Sequence, residues 1–289
     1  MTDDPYGAHS ARPTATQVAA RRAALSALVE AQQPMNVRHA FYLATVDGLV
    51  KKTDSGTGNG YSRIQWDLTV MRKNGEIPYD YIEDGTRSVV QAKTWPDIAT
   101  ALRVTAEKYR RSLWEDEDCR VQVWCEKDGL TNVLWPVTGE RDVTLWPARG
   151  YSSLTFLNDA ASRINDDGVP VYIYHIGDFD PSGVDAGRAI ERTLREFAYE
   201  EIHFKRLAVT PEQIRDWNLP SRPTKMSDSR AARFGGQRSV ELEAIEPNRL
   251  RDLVRRAIQR HMPASRYKQL RDEEAAERAR LIKMVEDLE

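Results

Sequence analysis

From residue 119 onward the chain alternates short apolar runs with amphipathic ones, and this alternation restricts the fold more than any other feature. Arg120 to Cys125 reads as a strand that ends in Glu126-Lys127-Asp128-Gly129. Asp142 to Leu145 reads as a second, followed by Gly150 and a helix from Leu154 to Ile164. Gly168 precedes a third, Val169 to Ile176, which runs into Gly177-Asp178-Phe179-Asp180 and then a helix over Asp185 to Phe197. Glu201 to Val209 holds a fourth strand, and Thr210-Pro211-Glu212-Gln213 opens a short helix. Strands alternating with helices predict a mainly parallel α/β sheet over 119–262.

The preceding residues have a different texture. Residues 1–14 read as a flexible tail. Thr16 to Gln33 predicts a helix capped by Thr16, with Val18, Ala19, Ala23, Leu25, Leu28 and Val29 on its apolar face and Pro34 closing it. Asn36 starts a second helix, Val37 to Val46, ended by Asp47-Gly48. After a polar loop, Thr53 to Gly60, a third spans Tyr61 to Lys73 with Ile64, Leu68 and Met71 on one face. Ile77 to Ile82 is short, aromatic and turn-flanked, as in a small wing or strand. Three helices and one extended element over 15–93 predict a helix-turn-helix or winged-helix domain. Thr94 to Leu113, opened by Thr94 and Pro96, predicts a linker helix within 94–118. Arg266 to Glu289 predicts a C-terminal helix filling 263–289.

Composition excludes several classes. Apolar residues at 40% and charged residues at 30% fit a globular chain. No apolar run approaches the ~18 residues of a membrane span, and Met1 to Pro13 lacks the apolar core of a signal peptide. The expected setting is a reducing cytoplasm. Cys119 and Cys125 lack disulfide or metal-ligand spacing, and Cys125 reads as a buried small residue. The net charge of -2 does not suggest a nucleic-acid binder. Between Arg222 and Arg260, however, ten basic residues face five acids. That segment suits either a solvated face or a phosphate-facing surface, with Arg222 and Lys225 as candidate DNA contacts.

In an open parallel sheet, ligands bind at the carboxyl ends of strands, where Glu126 and the Asp178/Asp180 pair both fall. In extended chain Asp178 and Asp180 share a face. Carboxylates aimed at one point repel unless a cation neutralises them, and an oxygen-only cluster suits Mg²⁺. The competing reading is a strand-to-helix turn in which Asp180 or Ser182 caps the helix.

Cys125-Glu126-Lys127-Asp128-Gly129, Gly150-Tyr151 and Asp178-Phe179-Asp180-Pro181-Ser182-Gly183 together resemble the Toprim domain of the topoisomerase VI A subunit and the related meiotic double-strand-break proteins. A glutamate and Asp-x-Asp alone also fit primases and Toprim nucleases. The Lys-Asp-Gly and the Pro-Ser-Gly favour the topoisomerase VI branch. Val37-Arg38-His39-Ala40-Phe41-Tyr42 resembles the family segment that carries the nucleophilic tyrosine on a winged-helix unit. The likeness covers roughly residues 20–262.

The resemblance implies a type IIB, topoisomerase-like transesterase. Tyr42 would be the nucleophile and Arg38, four residues earlier on the same helical face, its neighbour. A phenol with pKa ~10 needs a cation or base to react at neutral pH. The implied metal ligands are Glu126, Asp178 and Asp180, with Glu126 or a metal-bound water delivering a proton to the leaving 3' oxygen. Phe41-Tyr42-Leu43 also suits a plain core. Arg63, Arg72 and Lys73 on the third helix, and Lys127, are candidate DNA contacts, with a solvated helix face the competing reading. The implied partners are double-stranded DNA and a second copy of the chain, whose metal site would serve the first copy's tyrosine. The implied setting is cytoplasmic, in a bacterial nucleoid or on a phage or other mobile element. The chain has no Walker-type Gly-Lys-Ser/Thr loop, so strand passage would need a separate ATPase B-type partner. Two other functions fit the acidic pattern. One is a Toprim nuclease that uses water; the other is a DNA-binding regulatory or structural protein with a vestigial site.

Overall fold

A computed structural model of the protein describes residues 13–51, 60–82, 92–150, 152–224, 230–234 and 238–286. The chain divides into two compact units, Met1–Glu83 and Asp84–Glu289.

The first unit holds helices α1 (Ala15–Gln32), α2 (Val37–Val46) and α3 (Gly60–Lys73). The cap of α1 is Thr14 rather than the expected Thr16. Thr14 Oγ1 accepts from Gln17 N at 3.2 Å while Gln17 Oε1 accepts from Thr14 N at 2.9 Å. This reciprocal pair satisfies two otherwise unpaired donors, which Thr16, already inside the helix, cannot do. Asn36 caps α2 as expected, accepting from His39 N at 2.9 Å. Leu25, Val29, Ala40, Phe41, Ile64, Leu68 and Met71 are buried in this unit. Asp67 of α3 is also buried and takes the guanidinium groups of Arg21 and Arg22 of α1 at 2.6 and 3.0 Å. The stretch Ile77 to Ile82 is not a strand. It forms one 3-10 turn at Tyr79–Tyr81, and only Ile82 makes a bridge, to Met35. Pro78 has no N–H to extend a ladder. Most of the polar loop Thr53 to Gly60, residues 1–12 of the expected tail, and residues 83–91 near the end of the expected first domain lie outside the described residues.

The second unit opens with α4 (Ile98–Glu107), much shorter than the expected Thr94 to Leu113. Asp97, not Thr94, caps it by accepting from Thr100 N at 2.7 Å. Leu113 and Trp114 are buried in the core instead of continuing a helix. Then follow β1 (Arg120–Cys125), α5 (Thr131–Thr138), β2 (Thr144–Pro147), α6 (Leu154–Asp167), β3 (Val171–Ile176), α7 (Pro181–Phe197) and β4 (Ile202–Ala208). After them come α8 (Pro211–Asp216), β5 (Arg222–Pro223), α9 (Ala231–Phe234), β6 (Arg238–Ser239), α10 (Pro247–Gln259) and α11 (Ala264–Glu286). The second strand begins two residues later than expected, because Asp142 adopts φ 54 and its carboxylate accepts from Leu113 N at 3.0 Å. Helix α5 has no counterpart in the sequence expectations.

The chain is mixed α/β, and its main sheet is parallel throughout, in the order β2-β1-β3-β4. Alternation along β1 sends Val121, Val123 and Cys125 to a core shared with α5 and α10, and Trp124 to a core shared with α6 and α7. Because both faces are covered, the strands are apolar on both sides. Burial raises the Cys125 thiol to about 12, so it behaves as an inert core group. The chain leaves β1 for β2 in one direction and β3 for β4 in the other. The gap between β1 and β3 is therefore the topological switch point, the place beyond the strand ends where open α/β sheets bind their ligands. Among the described residues, no helix is long and apolar enough to cross a membrane.

Candidate metal centre

Glu126 is the first residue beyond β1, and Asp178 and Asp180 follow β3, so all three stand at the switch point. The ladder extends one step past each strand: Glu126 N donates to Ile176 O at 2.9 Å and Gly177 N to Ala208 O at 2.8 Å. The Glu126 side chain then crosses the gap, and its Oε2 accepts from Asp178 N at 2.9 Å. Two glycines make room for that carboxylate. A Cβ on Gly177 would stand 2.5 Å from Glu126 Oε2, and one on Gly183 would stand 2.8 Å from it. Arg206 of β4 fixes the loop from behind. Its guanidinium donates to Gly177 O at 2.8 Å, to Val209 O at 2.8 Å and to Asp178 O.

The electrostatics are those of a site short of positive charge. Burial, reinforced by the neighbouring charges of Asp178 and Asp180, raises Glu126 to about 7. That is the direction a cation would reverse, and the all-oxygen donor set suits a hard dication. Among the described residues, no group of three His, Cys, Asp or Glu side chains is arranged to hold a metal ion. All three accept from protein donors, Glu126 from Asp178 N as above. Asp180 caps α7, its Oδ1 accepting from Gly183 N at 2.8 Å. Asp178 Oδ1 accepts from Leu242 N at 2.8 Å and lies 2.9 Å from Lys127 Nζ.

Other expected residues fall in varied places. Lys127, expected to face DNA, instead turns its ammonium inward to Asp178 and Glu243. Burial opposes its charge, but those two carboxylates outweigh it and hold the ammonium above its ordinary pKa. Arg222 is half-buried, with Nη1 3.5 Å from Glu241 Oε1, and Lys225 lies outside the described residues. In the first unit Arg63 and Arg72 are half-buried, and Lys73 is exposed. Arg72 donates to Leu68 O at 3.2 Å and lies 5.6 Å from the centre of the Tyr79 ring. Arg38 is exposed, whereas Tyr42 is only 4% exposed and meets Phe41 edge-on at 5.6 Å.

Sequence reasoning missed three groups at the acidic site: Arg206, Glu243 and His175. Glu243 arrives on a segment whose alternation of Val240 and Leu242 with Glu241 and Glu243 is visible in the sequence. That segment pairs antiparallel with the acidic loop through Phe179 N to Val240 O at 2.8 Å and Val240 N to Phe179 O at 2.9 Å. Phe234 of α9 packs on Phe179 at 4.8 Å. His175 is buried beneath the loop, near Gly177 and Gly187, and among the described residues neither ring nitrogen has a hydrogen-bond partner. No protein-family model matches the chain, and no curated protein matches it.

Proposed function

We propose that the chain is a Mg²⁺-dependent DNA-cleaving transesterase, similar to the topoisomerase VI A subunit, with a winged-helix unit and a Toprim unit. The observation that carries this reading is the meeting of Glu126 with the Asp178–Asp180 loop at the switch point, where burial, and then the charges of Asp178 and Asp180, raise Glu126 to about 7. Mg²⁺, held by Glu126, Asp178 and Asp180, would supply a Lewis acid for a phosphate oxygen.

The chain's own residues divide the remaining work. Tyr42 gives its phenol proton to water, and Oη forms the bond to phosphorus as the bond from phosphorus to the 3' oxygen breaks, leaving a 5'-phosphotyrosyl link. Arg38 stabilises the phenolate and grips the phosphate. The departing 3' oxygen takes its proton from Glu126 where that carboxyl is free of metal, or from a water molecule where Glu126 is committed to the metal. Reversal reseals the strand. Two copies, each with its own Tyr42, would cut both strands, and passage of a duplex would need an ATPase partner.

The burial of Tyr42 favours a second reading, a Toprim nuclease in which water is the nucleophile. One experiment separates the two. Supercoiled plasmid is incubated with the protein and Mg²⁺, then trapped with detergent. Transesterification predicts a covalent protein–DNA adduct that Tyr42→Phe abolishes. Hydrolysis predicts nicked DNA without an adduct, unaffected by Tyr42→Phe. No cleavage by either route, together with DNA binding unchanged in Glu126→Ala and Asp178→Ala, would leave a DNA-binding protein with a vestigial site.

A further inference from the structure

We propose that Lys127 is a built-in counter-cation of the carboxylate site, held in place by Glu243, and that a divalent cation must displace it to reach Asp178. This inference rests on the metal reading above and adds a regulatory element to that site.

The placement is specific. Lys127 follows Glu126 directly, so one short segment delivers both a carboxylate and an ammonium to the same crevice. The ammonium stands 2.9 Å from Asp178 Oδ1 and also bonds Glu243 Oε2. Glu243 is only 5% exposed, and a carboxylate buried that deeply is costly without a paired charge. It belongs to neither strand end. The segment Val240 to Glu243 brings it there, and that segment also gives Asp178 the N–H of Leu242 at 2.8 Å. One docked segment therefore fixes both the carboxylate and the cation that covers it. An ammonium has three donors and no fixed coordination geometry. It can neutralise Asp178 without demanding the ordered shell that Mg²⁺ requires. Lys127 thus does the work of a cation in the metal-free protein and competes with one that arrives.

Competition makes a prediction of opposite signs, which a purely structural role does not. Binding of Mn²⁺ alone to the full chain is measured by calorimetry and by the electron-spin resonance of free Mn²⁺ at about 0.15 M salt. Removing a unit charge some ~6 Å from a dication changes affinity about tenfold even at the screening of bulk water, so Lys127→Met tightens Mn²⁺ binding by about that factor. Glu243→Gln leaves the ammonium charge uncompensated and weakens binding roughly threefold. Lys127→Arg, which keeps the charge, stays near the parent. Thermal melting without metal confirms that each variant folds, and Lys127→Gln replaces a Met variant that does not. If Lys127→Met and Glu243→Gln both weaken binding, or Lys127→Met leaves it unchanged, the inference fails while the metal reading stands. If only Lys127→Met binds Mn²⁺, the ammonium fills the site outright and the resident-metal reading fails. If no variant binds, both fall.

Discussion

Glu126 Oε2 and the backbone N–H of Asp178 meet at 2.9 Å, across the gap between β1 and β3. A carboxylate from one strand end thus fixes the backbone of the loop that carries the other two. The contact depends on the absence of a side chain at Gly183, where a Cβ would stand 2.6 Å from Asp178 O. Gly183 lies in the first turn of α7, where alanine would ordinarily be favoured by ~1 kcal/mol. Gly183→Ala is nevertheless expected to destabilise the second unit by about 1–3 kcal/mol, because backbone rather than a flexible side chain must move. Urea unfolding followed by far-UV circular dichroism would show this. An unchanged or raised midpoint would contradict the close approach.

The raised Glu126 pKa carries a signed pH dependence. The group prefers its proton in the folded state, with an ordinary value of 4.5 and a folded value of about 7. Its contribution to stability is fully present below 4.5 and is lost as pH rises through about 7. In chelator-treated protein, the urea midpoint of Glu126→Gln relative to the parent should therefore increase as pH rises from 5 to 8. Added Mn²⁺ competes with the same proton, so its apparent affinity for the parent should climb over that range and level off above about 7. A flat difference between parent and variant would remove the electrostatic premise of the site.

His175 acts in the opposite direction. Burial, then the charge of Arg206, lowers it from 6.5 to about 3, and its ring stacks on Phe204 at 5.7 Å. The folded protein holds it neutral, while the unfolded chain takes up a proton near its ordinary value. Stability from this group is complete above 6.5 and is lost as pH falls towards 3, on the order of 5 kcal/mol in total. His175→Leu is expected to flatten the acid limb of the stability curve between those values. Acid sensitivity equal to that of the parent would show that His175 is not the group responsible. The windows of His175 and Glu126 overlap, so each variant serves as the control for the other.

What was legible in the sequence follows from the range of each interaction. Strand β1 appears as expected at Arg120–Cys125, and β3 and β4 lie within one or two residues of their expected ends, because apolar periodicity is local. The positions of Glu126, Asp178 and Asp180 at strand ends follow from the same pattern. Their partners do not. Asp178 is met by Lys127, Leu242 and Arg206, and two of those belong to segments far along the chain. Asp180 satisfies α7 locally, which was the competing expectation for that residue. The register of α4 and β2 was set by the carboxylates of Asp97 and Asp142, which a hydrophobic pattern does not weigh. Arg206 looked like any strand cation, because only the folded loop reveals the carbonyls it serves.

Helix α3 offers a test of DNA contact in the first unit. Trp66 is 66% exposed, an unusual position for an indole, and Arg63 and Lys73 lie three and seven residues away along the same helix. If this helix meets DNA as proposed, the two kinds of side chain should separate in a salt titration. Lys73→Ala removes a phosphate contact, so the slope of log affinity against log salt should fall by about 1, with weaker binding to every sequence. Trp66→Ala removes apolar contact but no charge, so affinity should fall about fivefold or more at every salt concentration with the slope unchanged. Both side chains are solvent-facing, so melting temperatures should stay within about 1–2 °C of the parent. Filter binding or fluorescence anisotropy with a short duplex reads both quantities. Unchanged affinity in both variants would move the DNA-binding face away from α3.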